Sequence, residues 1–90
     1  MSDDAADALV EWWNDRVPMI EARIKEADDP DGKDTGFFWS QLIWQELVMW
    51  RQLGKPVDDA GLDFIVNRRG FTAFQRDFLI EGLEFLELRA

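Results

Sequence analysis

GFFWSQLIWQELVMWRQLG, residues 36–54, holds three of the chain's five tryptophans and only two charged side chains. Read at helical spacing it has two apolar faces. Trp39, Leu42, Ile43, Leu47, Trp50 and Leu53 form the main stripe, and Phe37, Trp44 and Val48 form a cluster on a different face. Gln41, Gln45 and Gln52 lie between them on one side, Ser40 and Arg51 on the other. The spacing predicts a helix from about Gly36 to Leu53, with Thr35 or Asp34 as N-cap and Gly54 just past its end. A helix apolar on two faces is either central in its domain or half covered by a partner. Glu46 falls within the main stripe, where an unpaired carboxylate is costly. It is therefore expected to be buried in an ion pair with an arginine, with Arg16, Arg23, Arg68 and Arg69 as candidates, or else to line a partner groove.

Upstream, DDPDGKDTG, residues 28–36, reads as a loop. Counting back from Gly32 as the sixth position of a calcium loop puts Ala27 first and Phe38 where a bidentate Glu is needed, so the calcium pattern fails. A solvated acidic turn is expected instead. Before the loop, Ala6, Leu9, Val10, Trp13, Val17, Ile20, Ile24 and Ala27 keep one apolar stripe from about Asp4 to Ala27. Pro18 interrupts this run but lies opposite the stripe, where a curved helix tolerates it on the convex side. The prediction is one bent helix, with two collinear helices as the alternative. Asp3, Asp4 and Asp7 suit the positive end of the helix.

Downstream, Asp58 caps a segment from Asp59 to about Arg68 that Gly70 ends, with Leu62, Ile65 and Val66 buried. Thr72 and Gln75 form a capping box for a last helix from Ala73 to about Arg89. Its inner arc is Phe74, Phe78, Leu79, Leu83, Phe85 and Leu86. Gly82 in that arc predicts close approach of another helix, because glycine costs roughly 1 kcal/mol there relative to alanine. The expected fold is a single all-α domain over residues 1–90, a compact bundle of three long helices plus one short helix.

Composition limits the chemistry. The chain has no histidine, cysteine or tyrosine, so no Ser-His-Asp or Cys-His device and no ordinary structural zinc site can form. No carboxylate pair stands apart from the other acidic residues. The expectation is therefore a non-enzyme with no cofactor and no metal. No apolar run approaches the roughly 20 residues of a membrane span. The absence of cysteine fits a reducing compartment, so a cytoplasmic location is expected. The formal net charge of −9 opposes direct contact with nucleic-acid phosphates, including any helix-turn-helix reading of Arg68-Arg69, and favours a basic protein partner.

Two patches stand out as expected binding anchors. One is Phe37, Trp44 and Val48. The other is Trp12 and Met19, flanked by Arg16 and Arg23, since the adjacent Trp12 and Trp13 are not expected to point into the core together. Asp77, Glu81 and Glu84 form a carboxylate row on the outer face of the last helix, suited to electrostatic steering. In size and acidity the chain is similar to small inhibitors such as nuclease immunity proteins and phage-encoded anti-defence proteins, with no shared motif. The expected function is a steric inhibitor or adaptor docking on a basic, for example nucleic-acid-handling, protein. The alternative is a structural subunit that self-assembles through its aromatic helix face.

Overall fold

The computed structural model describes residues 4–27, 32–36 and 38–90. Phe37, Asp3 and the start of the acidic loop, residues 28–31, lie outside the described residues. Four helices follow one another: α1 (Asp4–Glu26), α2 (Phe38–Leu53), α3 (Asp59–Arg69) and α4 (Ala73–Phe85). Their lengths of 23, 16, 11 and 13 residues are graded, rather than divided into three long and one short. No strand occurs among the described residues, only one isolated bridge between Val57 and Arg89.

Local chemistry accounts for most boundaries. α1 runs unbroken through Pro18, which is solvent-exposed. α3 starts where the Asp58 carboxylate accepts the Gly61 amide at 2.8 Å. It ends at Gly70, whose φ of 70° is left-handed and whose amide donates to the Val66 carbonyl. Thr72 and Gln75 close the capping box of α4 in both directions, the Gln75 amide donating to Thr72 Oγ1 and the Thr72 amide to Gln75 Oε1.

α4 stops at Phe85, one turn short of the expected Arg89. Glu87 takes a left-handed φ of 59° and donates its amide to the Glu84 carbonyl, while the Leu88 amide donates to Leu83. This is a Schellman closure with a glutamate in the place usually held by glycine, and the apolar Leu83–Leu88 contact that accompanies such turns is buried. The tail then folds back onto the α2–α3 connection. Val57 donates to the Leu88 carbonyl at 2.6 Å, and Ala90 and the Arg89 guanidinium donate to the Val57 carbonyl. Arg89 also bonds Asp59 at 2.8 Å. That bond, reinforced by the arginine's charge, holds the Asp59 carboxyl below its ordinary value. Its contribution is present above the unfolded-state pKa and lost as the pH falls through the lower folded-state value.

The core consists of Leu9, Trp12 and Ile20 from α1, Trp39, Ile43 and Leu47 from α2, Leu62 and Ile65 from α3, and Phe78, Leu79 and Leu83 from α4, closed by Val57, Phe71 and Leu88. α2 and α4 make the main helix–helix contact. Gly82 lies at that contact: a Cβ there would stand 2.7 and 2.8 Å from the Leu47 methyls and 3.2 Å from Trp12 Cη2. Gly82→Ala should gain about 1 kcal/mol of helix propensity. It should lose about 1–3 kcal/mol to overpacking, because Leu47 is fully buried and has no room to swing aside. The expected net result is a lower urea midpoint. A raised midpoint would mean that Leu47 re-packs freely.

Candidate functional site

α1 packs against both α2 and α4, and this placement decides where the aromatic residues go. Trp12 turns toward α4: its ring stacks on Phe85 and tilts against Phe78, both at 5.5 Å, and it is 8% exposed. Trp13 packs where α2 meets α4, touching the Trp44 ring of α2 edge-on at 5.2 Å and the Phe78 ring of α4 edge-on at 5.3 Å. The expectation that only one of the adjacent tryptophans packs inward is therefore corrected. It allowed α1 one neighbour, and α1 has two, so side chains one residue apart both find cover.

The Trp12–Met19 patch consequently does not form. Met19 is exposed, but Trp12 is covered. The flanking arginines are clamps. Arg16 lies over the Trp12 ring and donates from Nε to Glu81 at 2.6 Å, joining α1 to α4. Arg23 lies over the Phe74 ring and reaches Asp34 at 3.3 Å. Glu81, the middle of the expected acidic row, is thus neutralised and half-buried, whereas Asp77 and Glu84 remain exposed.

Asp34 also departs from the expected solvated turn. It is 5% exposed and accepts from Thr72 Oγ1 and Gln75 Nε2, both at 2.9 Å. Gln75 Nε2 also donates to the Lys33 carbonyl at 2.6 Å. The end of the loop is therefore anchored to the start of α4. Asp34, the one acidic residue of this segment among the described residues, serves the fold rather than a free surface.

Glu46 is fully buried. Its Oε1 accepts from Arg68 at 2.5 Å and Arg69 Nε at 2.8 Å, and its Oε2 from Trp50 Nε1 at 3.1 Å. Arg68 in turn covers the exposed ring of Phe64 at 5.6 Å. Both oxygens of this carboxylate are engaged, and the two arginines join α2 to α3 through it. Among the described residues no group of three or more His, Cys, Asp or Glu side chains converges on a point, and no helix is long and apolar enough to cross a membrane.

α2 is the helix whose exposed side is uncharged. Its exposed residues are Phe38, Gln41, Gln45, Met49, Gln52 and Leu53, and none carries a charge. Phe38 is 76% and Leu53 53% exposed, and Phe64 on α3 is 64% exposed beside the Arg68–Glu46 junction. By contrast α1 exposes Asp7, Glu11, Asp15, Glu21 and Glu26 against Arg23 and Lys25. Trp44 and Val48 are half-buried rather than freely exposed. Together with Val10, Trp13, Ser40, Gln41 and Gln45, Trp44 lines a groove of about 470 Å³ between α1 and α2. Phe38, Met49 and Phe64 were not singled out from the sequence. The signal for the first two was an absence, in that α2's only charges are a buried glutamate and a half-buried arginine. Comparison of the chain with known protein families, curated proteins and solved structures gives no match.

Proposed function

We propose that this protein is a non-catalytic, cytoplasmic protein-binding module, a steric inhibitor or adaptor of a basic partner such as a nucleic-acid-handling protein, of the kind that phage anti-defence inhibitors exemplify. One observation carries the reading. On a chain of net charge −9, the solvent face of a 16-residue helix has no charge and bears Phe38, Met49 and Leu53. Charge depletion with retained apolar area distinguishes the centre of an interface from ordinary surface. The exposed carboxylates of α1, with Asp77 and Glu84 on α4, supply the acidic surround expected to steer a cationic partner.

The same face supports a second reading, self-assembly, because two copies of so acidic a chain repel least where neither presents a carboxylate. Sedimentation separates the two. The first reading expects a monomer at micromolar concentration, and the second a dimer that Phe38→Ser dissociates. For a complex with a basic protein captured from the native host, Asp77→Lys with Glu84→Lys should slow association severalfold at low salt and flatten its salt dependence. Phe38→Ser should chiefly speed dissociation. Glu81 is left out of the charge reversal because its loss would break the Arg16 clamp. Unchanged association in the reversed variant would reduce the acidic surround to a solubility feature.

A further inference from the structure

We infer that the α1–α2 groove receives a short amphipathic helix with an apolar stripe flanked by lysine or arginine, a conclusion that rests on the protein-binding reading above. The floor and walls are Val10, Trp13, Ser40 and Trp44, and the α2 rim is the amides of Gln41 and Gln45. Val10 is 45% exposed although it lines an apolar depression. The exposed residues nearest it on α1 are Asp7, Glu11 and Asn14, and no lysine or arginine stands within one turn of Val10. The groove is thus apolar at its base, neutral on one rim and acidic on the other. A ligand flanked by carboxylates would be repelled on the α1 side, and one flanked by cations would be held there.

The backbone of the occupant follows from what the groove lacks. Its walls are two helices whose backbone groups bond within themselves, and no strand edge exists among the described residues to pair with an extended peptide. An occupant must satisfy its own backbone, which a helix does while presenting apolar side chains three and four residues apart. The stretch from Ser40 to Gln45 rises about 8 Å at about 1.5 Å per residue, so two to three turns suffice.

The test uses three 14-residue peptides without aromatic residues: a leucine–lysine helix with leucines on one face, the same composition scrambled, and a leucine–glutamate version of the first. Binding is read from the tryptophan fluorescence of the full chain, since Trp13 and Trp44 line the groove. The leucine–lysine helix is expected to bind at least tenfold more tightly than its scramble, and the leucine–glutamate peptide not at all. Gln41→Arg with Gln45→Arg should weaken the leucine–lysine helix tenfold or more, and Val10→Ser severalfold. Asn67→Ser, away on α3, should leave it unchanged, with circular dichroism confirming that each variant is folded.

Equal binding of the scramble would overturn the inference in favour of charge alone. So would tighter binding of the leucine–glutamate peptide, or indifference to the groove variants. If the leucine–lysine helix fails while a salt-sensitive complex with a captured basic protein still forms, the groove inference falls and the protein-binding reading stands. If the chain instead dimerises and Gln41→Arg with Gln45→Arg disperses the dimer, both fall.

Discussion

Replacing Arg68 and Arg69 together by alanine is expected to cost about 3–5 kcal/mol, the loss typical of a buried ion pair deprived of one side. Both guanidiniums meet the same oxygen of a carboxylate that has no solvent exposure, and only the Trp50 indole would remain as a donor. Such a loss is a large share of the roughly 5–15 kcal/mol that holds a small domain together. The reverse deletion should be milder. The Arg68 and Arg69 side chains are 48% and 26% exposed, so after Glu46→Ala they can turn to water, whereas the stranded carboxylate cannot. Glu46→Met, which fills the same space with apolar atoms among Ile43 and Leu47, should be close to neutral or stabilising. Urea denaturation of the three variants checks this order. A double-arginine variant with the wild-type midpoint would show that the network contributes nothing, and a Glu46→Met variant as damaged as the double variant would show that the charge itself is needed.

Trp12→Ala should also cost about 3–5 kcal/mol, as truncation of a large buried aromatic does. The ring contacts Phe78, Phe85 and Trp13 and is capped by Arg16, so its removal opens a cavity beside Gly82 and loosens the clamp to Glu81. For a domain of this size each kcal/mol moves the melting temperature by about 4–8 °C, so a fall of more than about 10 °C is expected. Had Trp12 been the exposed anchor expected from its place on the helical wheel, the change would stay within about 0.5 kcal/mol. A melt that moves by only a degree or two would return Trp12 to the surface and reopen the Trp12–Met19 patch.

The features legible in the amino-acid sequence were those decided within one helix or one turn. Asp58 and Gly70 bracket α3, and Thr72 and Gln75 start α4, because capping satisfies backbone groups three or four residues away. Pro18 sits on the exposed side of an unbroken α1, and Gly82 at a close helix contact, because periodicity reports the angle of each residue about its own helix axis. Ile43, Leu47, Leu62, Ile65, Phe78, Leu79 and Leu83 are core for the same reason.

Tertiary structure decided what that angle leaves open, which is how many neighbours surround the axis. α1 packs against both α2 and α4, so Trp12 and Trp13 both find cover, and Arg16 and Arg23 become clamps instead of the rim of a binding patch. α4 ends at Phe85, where the chain turns through a left-handed Glu87 so that Leu88 is buried with Leu83 and pairs with Val57. Asp34 leaves solvent because Thr72 and Gln75, 38 and 41 residues away in sequence, supply its donors. The α1–α2 groove belongs to neither helix alone. Its apolar floor forms only when Val10 and Trp13 are set beside Ser40 and Trp44, and no periodicity within one segment encodes the distance between two.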